Sequence, residues 1–145
     1  MFLGTYTPKL DEKGRFFLPA KFRDELAEGL VITRSQDRCL AIYPMATFVT
    51  MTQPVSTAPA TLKQVRDYQR MLAAGASDEI PDKQGRVTIP PMLRAYAALD
   101  KDIVVAGAIN RVEVWDAAGW QAYSAAQEDA FAAMNEEILT NDAGR

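Results

Sequence analysis

Segment 11–23 of this 145-residue chain returns further along it, in altered form, as segment 82–94. The first reads Asp-Glu-Lys-Gly-Arg-Phe-Phe-Leu-Pro-Ala-Lys-Phe-Arg, and the second reads Asp-Lys-Gln-Gly-Arg-Val-Thr-Ile-Pro-Pro-Met-Leu-Arg. Segment 42–48 aligns with 114–120 in the same way, at an offset of one residue more. Such self-similarity marks a tandem duplication, so the fold must consist of two similar units.

Each copy predicts two strands, a short helix and two further strands. A polar turn with a glycine, Gly14 or Gly85, separates the first two strands, because glycine takes a positive φ at little cost. Alternation in the second strand puts apolar side chains on one face and arginines on the other. The apolar face holds Phe16, Leu18, Val87 and Ile89, and the opposite face holds Arg15, Phe17, Arg86 and Thr88.

Prolines mark the start of the predicted helix in each copy, because the first helical position needs no N–H. They are Pro19 in the first copy and Pro90 with Pro91 in the second. Apolar residues at helical spacing follow, namely Phe22 and Leu26, and Leu93 with Tyr96 or Ala97. The remaining strands are predicted at 30–33, 39–43, 103–106 and 112–115. The chain therefore predicts an α+β fold, mainly β, with ββαββ in each copy.

Further helices are predicted outside the copies. Residues 47–60, rich in Thr, Pro and Ala, predict a short helical turn and a loop, and an amphipathic helix follows from Leu62 to about Gly75. Asp116 can cap a longer C-terminal helix, and residues 140–145 are predicted to fray. That helix carries a stripe at spacings of three and four, formed by Trp120, Tyr123, Gln127, Phe131, Met134 and Ile138. Packing within the chain and a contact between subunits are both compatible with the stripe.

The two turns are the strongest candidates for a binding site. The planar guanidinium groups of Arg15 and Arg86 can bond two acceptors on a guanine edge or straddle a phosphate. Asp11 and Asp82 can bond turn amides and orient those arginines. Other basic residues are near in sequence, namely Lys9, Lys13, Lys21 and Arg23 around Arg15, and Lys83 and Arg94 beside Arg86. The alternative is a pair of solvated hairpins with surface ion pairs, each of which contributes little.

The distribution of charge decides how the net charge of -3 and the pI near 5.0 are read. Residues 1–23 hold five basic and two acidic side chains, and residues 82–94 hold three basic and one acidic. Residues 116–145 hold six acidic and one basic, so the acidity belongs to the C-terminal helix. A basic face on the duplicated body is compatible with the overall negative sign, because binding responds to the local field.

The composition argues against an enzyme. The chain has no histidine, which removes the usual general base and the commonest metal ligand. The single cysteine, Cys39, has apolar neighbours that favour a buried thiol, and it fits a reducing compartment. Asp78, Glu79 and Asp82 follow no known metal-binding loop, and Pro81 interrupts them. We therefore expect no catalytic residue, no metal and no cofactor.

No targeting or membrane segment is predicted. The N-terminal residues lack a basic, apolar leader, and the longest apolar run, 103–109, is far below the roughly 18 residues that a spanning helix needs. We expect a cytoplasmic protein.

The two repeated blocks resemble the paired signatures of the MraZ family of bacterial transcriptional regulators. Met1-Phe2-Leu3-Gly4, Ala95-Tyr96-Ala97-Ala98-Leu99 and Glu113-Val114-Trp115-Asp116 match the same family, so the resemblance runs from Met1 to about Tyr123. It implies two SpoVT/AbrB-like swapped-hairpin domains, β-barrel halves that form one pseudo-symmetric unit. These domains would span 5–47 and 76–119, with a linker and its helix at 48–75 and a C-terminal helix and tail at 120–145.

The resemblance also implies a function. Members of the family assemble into ring-like homo-oligomers and bind repeated elements in the promoter of their own division-and-cell-wall gene cluster, usually as repressors. The expected partner is double-stranded DNA at the nucleoid, with no small-molecule substrate. The family's Asp-x-x-x-Arg motif maps onto Asp11 with Arg15 and onto Asp82 with Arg86. The residues expected to contact DNA are Arg15, Arg86, Lys13, Lys83, Gln84, Lys9 and Lys21, and those that shape the turns are Asp11, Asp82, Gly14 and Gly85.

The sequence departs from the family pattern at two positions. Pro81 stands where an apolar strand residue is common, which predicts a shortened edge strand. Gln84 replaces the lysine found at Lys13, which predicts less electrostatic attraction and more amide contact with a base.

The alternative function is an AbrB-type antitoxin or interaction scaffold that acts through the acidic C-terminal helix. The intact second copy argues against it, since a simple antitoxin needs only one.

Overall fold

A computed structural model describes residues 1–134, and its elements follow the predicted ββαββ order twice. The first copy comprises β1 (Thr5–Tyr6), β2 (Arg15–Phe17), α1 (Ala20–Leu26), β3 (Leu30–Arg34) and β4 (Leu40–Pro44). After α2 (Met45–Thr57) and α3 (Lys63–Ala74), the second copy comprises β5 (Ser77–Glu79), β6 (Arg86–Thr88), α4 (Pro91–Tyr96), β7 (Ile103–Gly107) and β8 (Val112–Asp116). The last helix is α5 (Ala117–Ala133), and a short 3-10 turn, Gln36–Arg38, joins β3 to β4. The predicted stripe position Ile138 and the frayed end 140–145 lie outside the described residues.

The two copies share their sheets. The larger sheet has six antiparallel strands in the order β1-β7-β8-β4-β3-β5, and β2 pairs with β6 in a second, two-stranded sheet. The first strand of each copy therefore pairs with the other copy, β1 with β7 and β5 with β3. Neither copy completes its sheet without the other, while the domain boundaries proposed from the sequence stay a prediction.

The strand register shows a pseudo-twofold relation between the copies. Phe16 lies opposite Val87, its own counterpart in the repeat, and Ala41 lies opposite its counterpart Glu113. The described residues form an open six-stranded sheet and a separate ribbon, so the closed barrel expected from the resemblance is not found. The ribbon stays short because Pro19 and Pro90, which have no N–H to donate, follow closely after β2 and β6 and begin the helices.

The core lies between the large sheet, the β2–β6 ribbon and helices α1 and α4. The inner residues predicted for the second strands, such as Phe16 and Val87, are all buried in it. Counterpart side chains occupy it from both copies: Phe22 with Leu93, Leu26 with Ala97, Leu40 with Val112 and Ile42 with Val114. The duplicated sequence thus encodes one core with two equivalent halves.

Segment 47–60 is more regular than the sequence predicts. Instead of a short helical turn and a loop, α2 runs through 13 residues and includes Pro54. Two tertiary contacts explain the difference: the Phe48 ring packs on Tyr43 at 5.9 Å between centroids, and Gln69 Nε2 of α3 donates to Val55 O at 2.8 Å. Packing against α3 and the sheet outweighs the poor helix propensity of Thr and Pro. The amphipathic helix α3 ends at Ala74, as predicted.

Helix α5 is capped as predicted, since Asp116 Oδ2 accepts the N–H of Gly119 at 3.0 Å. Its first turns pack within the chain, with the Trp120 and Tyr123 rings 5.4 and 4.7 Å from that of Trp115. Residues 125–133 are exposed along every face of the helix, and Phe131 is 75% exposed. Within residues 1–134 the stripe is therefore packed at Trp120 and Tyr123 and exposed at Phe131 and Met134.

The edge strand β5 ends before Pro81, as predicted. Leu10, the counterpart of this proline, is buried and donates its N–H to Lys101 O at 2.9 Å. Pro81 lacks the N–H for an equivalent bond, which ends the pairing at this edge.

Among the described helices, none combines the length and the hydropathy that crossing a membrane requires.

Candidate nucleic-acid interface

Both turns have the same hydrogen bonds. Asp11 Oδ1 accepts the N–H groups of Lys13 and Arg15 at 2.9 and 2.8 Å, and its Oδ2 accepts Arg15 Nε at 2.9 Å. Asp82 bonds Gln84 N, Arg86 N and Arg86 Nε at 2.9, 2.9 and 2.7 Å. Each aspartate thus closes its turn and fixes the arginine that follows, the orienting role expected from the sequence.

These bonds keep the two aspartates ionised. The backbone N–H of Arg15, together with its guanidinium, lowers the pKa of Asp11, and Arg86 lowers the pKa of Asp82 in the same way. Both carboxylates are solvent-exposed, so they hold the arginines without the cost of burying a charge. The turns therefore keep their geometry at any pH well above the ordinary pKa of an aspartate.

Only one guanidinium nitrogen of each arginine bonds its aspartate. The bonds to Asp11 and Asp82 use Nε, and within the described residues neither Arg15 nor Arg86 bonds through its terminal Nη atoms. The two side chains are 30% and 26% exposed. The guanidinium groups are therefore held in orientation while their two-pronged ends stay available for an outside acceptor.

The β2–β6 ribbon places the two turns at its opposite ends. Arg15 pairs with Thr88 and Phe17 pairs with Arg86 in the register, and all four side chains lie on the face opposite the core. The arginines are diagonal neighbours across the strands, for which the separation is about 7–8 Å. We call this surface, Arg15, Phe17, Arg86 and Thr88, the outer ribbon face. It joins the two predicted arginines into one site.

Helices α1 and α4 brace the turns of the opposite copy. Arg94 lies over Gly14, where an added Cβ would be 2.8 Å from its Cζ. Arg23 lies over Gly85, where an added Cβ would be 2.6 Å from its Nε. Arg23 is near Arg15 in sequence, and Arg94 is near Arg86, but in the fold each of these two residues contacts the turn of the other copy. The exchange of elements between copies brings each helix to the other turn. No local sequence signal could have revealed the crossing.

Both turn glycines are required by geometry. Gly14 and Gly85 have φ of +78°, a left-handed conformation that side-chain-bearing residues rarely adopt. Their carbonyls also extend the ribbon, since Gly14 O accepts Ile89 N at 2.8 Å and Gly85 O accepts Leu18 N at 2.9 Å. The turns and the ribbon thus form a single hydrogen-bonded unit.

The other predicted contact residues are placed less uniformly. Lys13, Lys83 and Gln84 lie on the exposed turns beside the outer ribbon face, and Lys21 is exposed in the first turn of α1. Lys9 forms an ion pair with Asp102, whose pKa it lowers, so its charge is already partly engaged. The structure therefore brings Arg15, Arg86 and the turn residues together, with Lys9 in a separate pair.

The groups considered for catalysis or metal binding are occupied otherwise. Cys39 is buried, burial raises the pKa of its thiol to about 12, and its Sγ donates to Gln36 O at 3.4 Å. Glu79 Oε1 accepts the N–H of Thr88 at 2.8 Å, and partial burial raises the pKa of Glu79. The described residues contain no group of three or more potential metal ligands.

The duplicated fold and the outer ribbon face define a class of protein: a single chain in which two exchanged ββαββ units present paired arginines on a two-stranded ribbon. Comparison with known proteins specifies the family. The family described as "MraZ protein, putative antitoxin-like" matches residues 1–71 and again 72–142. The chain belongs to the MraZ family.

Named relatives match almost the whole chain. A protein called Transcriptional regulator MraZ from Cutibacterium acnes is 75% identical over 139 residues, which is 96% of this chain and 98% of that protein. Proteins of the same name from Thermobifida fusca and Frankia alni are 59% and 57% identical, each over 96% of this chain and 97% of their own length. The identification made from the repeated blocks is confirmed.

Proposed function

We propose that this chain is a sequence-specific, DNA-binding transcriptional regulator whose β2–β6 ribbon enters the major groove. The observation that carries the proposal is the outer ribbon face, where Arg15 and Arg86 are oriented through Nε with free Nη atoms. A two-stranded ribbon fits the major groove, and a free guanidinium fork matches guanine O6 and N7. The name of the relatives, transcriptional regulator, supports the regulatory role.

The target that we propose is a set of repeated elements in the promoter of the protein's own division-and-cell-wall gene cluster, where binding represses transcription. Lys13, Lys83 and Lys21 neutralise phosphates, and Gln84 bonds a base edge. The exchange of β1 and β5 between the copies supports a swapped-hairpin unit of the SpoVT/AbrB type. The protein then acts in the cytoplasm, at the nucleoid, and catalyses no reaction.

A gel shift with the promoter upstream of its own gene tests this function. We expect binding to that DNA to exceed binding to a scrambled duplex by at least about a thousandfold. Because the three lysines of each bound chain neutralise about three phosphates, log K should fall against log salt with a slope of about -3 for each chain that binds. Equal affinity for both duplexes would instead indicate a nonspecific nucleoid protein, and no binding to either would exclude DNA as the partner.

We propose further that the chain assembles into a ring-like homo-oligomer, with the distal half of α5 of one copy docked on the α2–α3 surface of the next. Phe131 supplies an exposed apolar anchor, and Glu128 and Asp129 beside it are acidic. The α2–α3 surface has a groove lined by Val55 and Tyr68. Helix α3, on one side of this groove, carries Lys63, Arg66 and Arg70 and one acid, Asp67, which forms an ion pair with Lys63.

Charge complementarity selects a second copy as the occupant. An acidic helix end with an exposed phenylalanine and an apolar groove beside a basic helix occur on the same chain, and residues 125–133 of that helix end are exposed. A contact between two different surfaces is heterologous, and such contacts close into rings when the rotation permits. Several ribbons on one ring could then engage repeated DNA elements together, which raises affinity through avidity.

We expect Phe131→Asp to reduce the assembly to monomers, because the substitution removes the apolar anchor and adds a third acid. Sedimentation velocity measures the mass, and circular dichroism should show an unchanged fold, since Phe131 is 75% exposed. The control is Ala126→Asp, which adds the same charge to the same exposed half but on another face of the helix. A ring that survives Phe131→Asp would contradict the interface. A monomeric wild-type chain would favour the interaction-scaffold alternative, in which α5 binds a different protein.

A further inference from the structure

The two ends of the outer ribbon face carry different residues, although the strand register that pairs them is symmetric. Phe17 and Thr88 are counterparts in the repeat, and both are exposed beside an arginine. Phe17 is 50% exposed, whereas the preceding residue, Phe16, faces the core and is fully buried. Phe17 thus places an apolar ring beside Arg86 on a face that is otherwise polar and cationic.

The ring is positioned by a contact across the ribbon. Arg86 Cζ lies 5.9 Å from the centroid of the Phe17 ring, and Arg86 itself is fixed by Asp82. The ring and the guanidinium therefore present adjacent surfaces to whatever approaches the outer ribbon face. The guanidinium offers hydrogen bonds and the ring offers apolar contact.

We propose that Phe17 reads the 5-methyl group of a thymine next to the guanine contacted by Arg86, an inference that rests on the proposed function. In the major groove a thymine is distinguished by this methyl group. The ring of a phenylalanine and the methyl group of a threonine are both suited to contact it. At the other end of the ribbon Thr88 offers one methyl group beside Arg15. The two ends thus share one chemistry, guanine with thymine, and the phenylalanine end makes the larger contact.

The test replaces each thymine of the bound promoter element, one at a time, by deoxyuridine, which lacks only the methyl group. For the wild-type protein one such replacement beside a guanine should weaken binding about fourfold, the loss expected for one buried methyl. Phe17→Ala should bind the thymine duplex more weakly and show no difference between thymine and deoxyuridine at that position. Phe17→Leu, which keeps an apolar surface, should retain part of the difference, and Thr88→Ala should leave it unchanged.

Two outcomes overturn the inference while the proposed function stands. One is a wild-type protein that binds its promoter specifically but is indifferent to every thymine replacement. The other is a Phe17→Ala protein that loses affinity yet remains as sensitive to the missing methyl as the wild type, which would make Phe17 a support for Arg86. If the wild-type protein does not distinguish its promoter from scrambled DNA, the proposed function is wrong, and the inference about Phe17 is wrong with it.

Discussion

Replacing Arg15 and Arg86 together by alanine is expected to weaken binding to the promoter element about a hundredfold or more. A bidentate arginine–guanine contact contributes about 1–3 kcal/mol to discrimination, and the double variant loses both contacts. Fluorescence anisotropy with the promoter element and a scrambled duplex measures the effect. The substitutions should change the free energy of unfolding little, since exposed ion pairs such as Arg15–Asp11 contribute at most about 1 kcal/mol.

The matched control is the double variant Arg15→Lys with Arg86→Lys. It keeps both charges but loses the planar fork, so we expect it to bind all DNA with nearly the wild-type salt dependence and to lose the preference for the promoter. Sedimentation should give the wild-type mass for both double variants, because the ribbon is distinct from the proposed α5 contact. If the alanine variant still prefers the promoter as strongly as the wild type, Arg15 and Arg86 are not the reading residues.

Much of the fold follows from the repeat and from alternation in the strands. Gly14 and Gly85 predict the turns, Phe16 and Val87 predict the buried faces, and Asp116 predicts the cap of α5, because each depends on neighbours within a few residues. Local hydrogen bonds and side-chain periodicity are encoded where they act. The hydrogen bond between Asp11 and Arg15 is likewise predictable, because the two residues are four positions apart.

Other features depend on contacts distant in sequence and could not be predicted locally. The joining of Arg15 and Arg86 into one face requires the pairing of β2 with β6 across the repeat. The placement of Arg94 over Gly14 requires the exchange of elements between the copies, and α2 requires its packing on α3. In each case the deciding energy comes from a partner in another element, which the local pattern does not specify.

The crossed contacts of Arg23 and Arg94 lead to the largest expected effect on stability. Gly14→Ala should lower the free energy of unfolding by about 2–4 kcal/mol, the sum of a left-handed backbone cost and overlap with its neighbours. A Cβ at Gly14 would meet Arg94 Cζ at 2.8 Å and the backbone oxygen of Ile89 at 2.9 Å. Urea denaturation of both proteins measures the difference.

The neighbours of the second turn make a graded comparison possible. The three atoms nearest to a Cβ at Gly85 all belong to the Arg23 side chain, whereas those at Gly14 include a backbone oxygen, so Gly85→Ala should cost less than Gly14→Ala. Adding Arg23→Ala to it should recover the overlap but not the backbone cost, which makes the two substitutions non-additive. Gly119→Ala is the control: its nearest neighbours are 3.6 Å or more away in helix α5, and alanine there should stabilise by up to about 1 kcal/mol. Equal losses at Gly14 and Gly85 that Arg23→Ala does not relieve would mean that the left-handed backbone cost, rather than overlap with the arginines braced across the repeat, sets the effect of these substitutions.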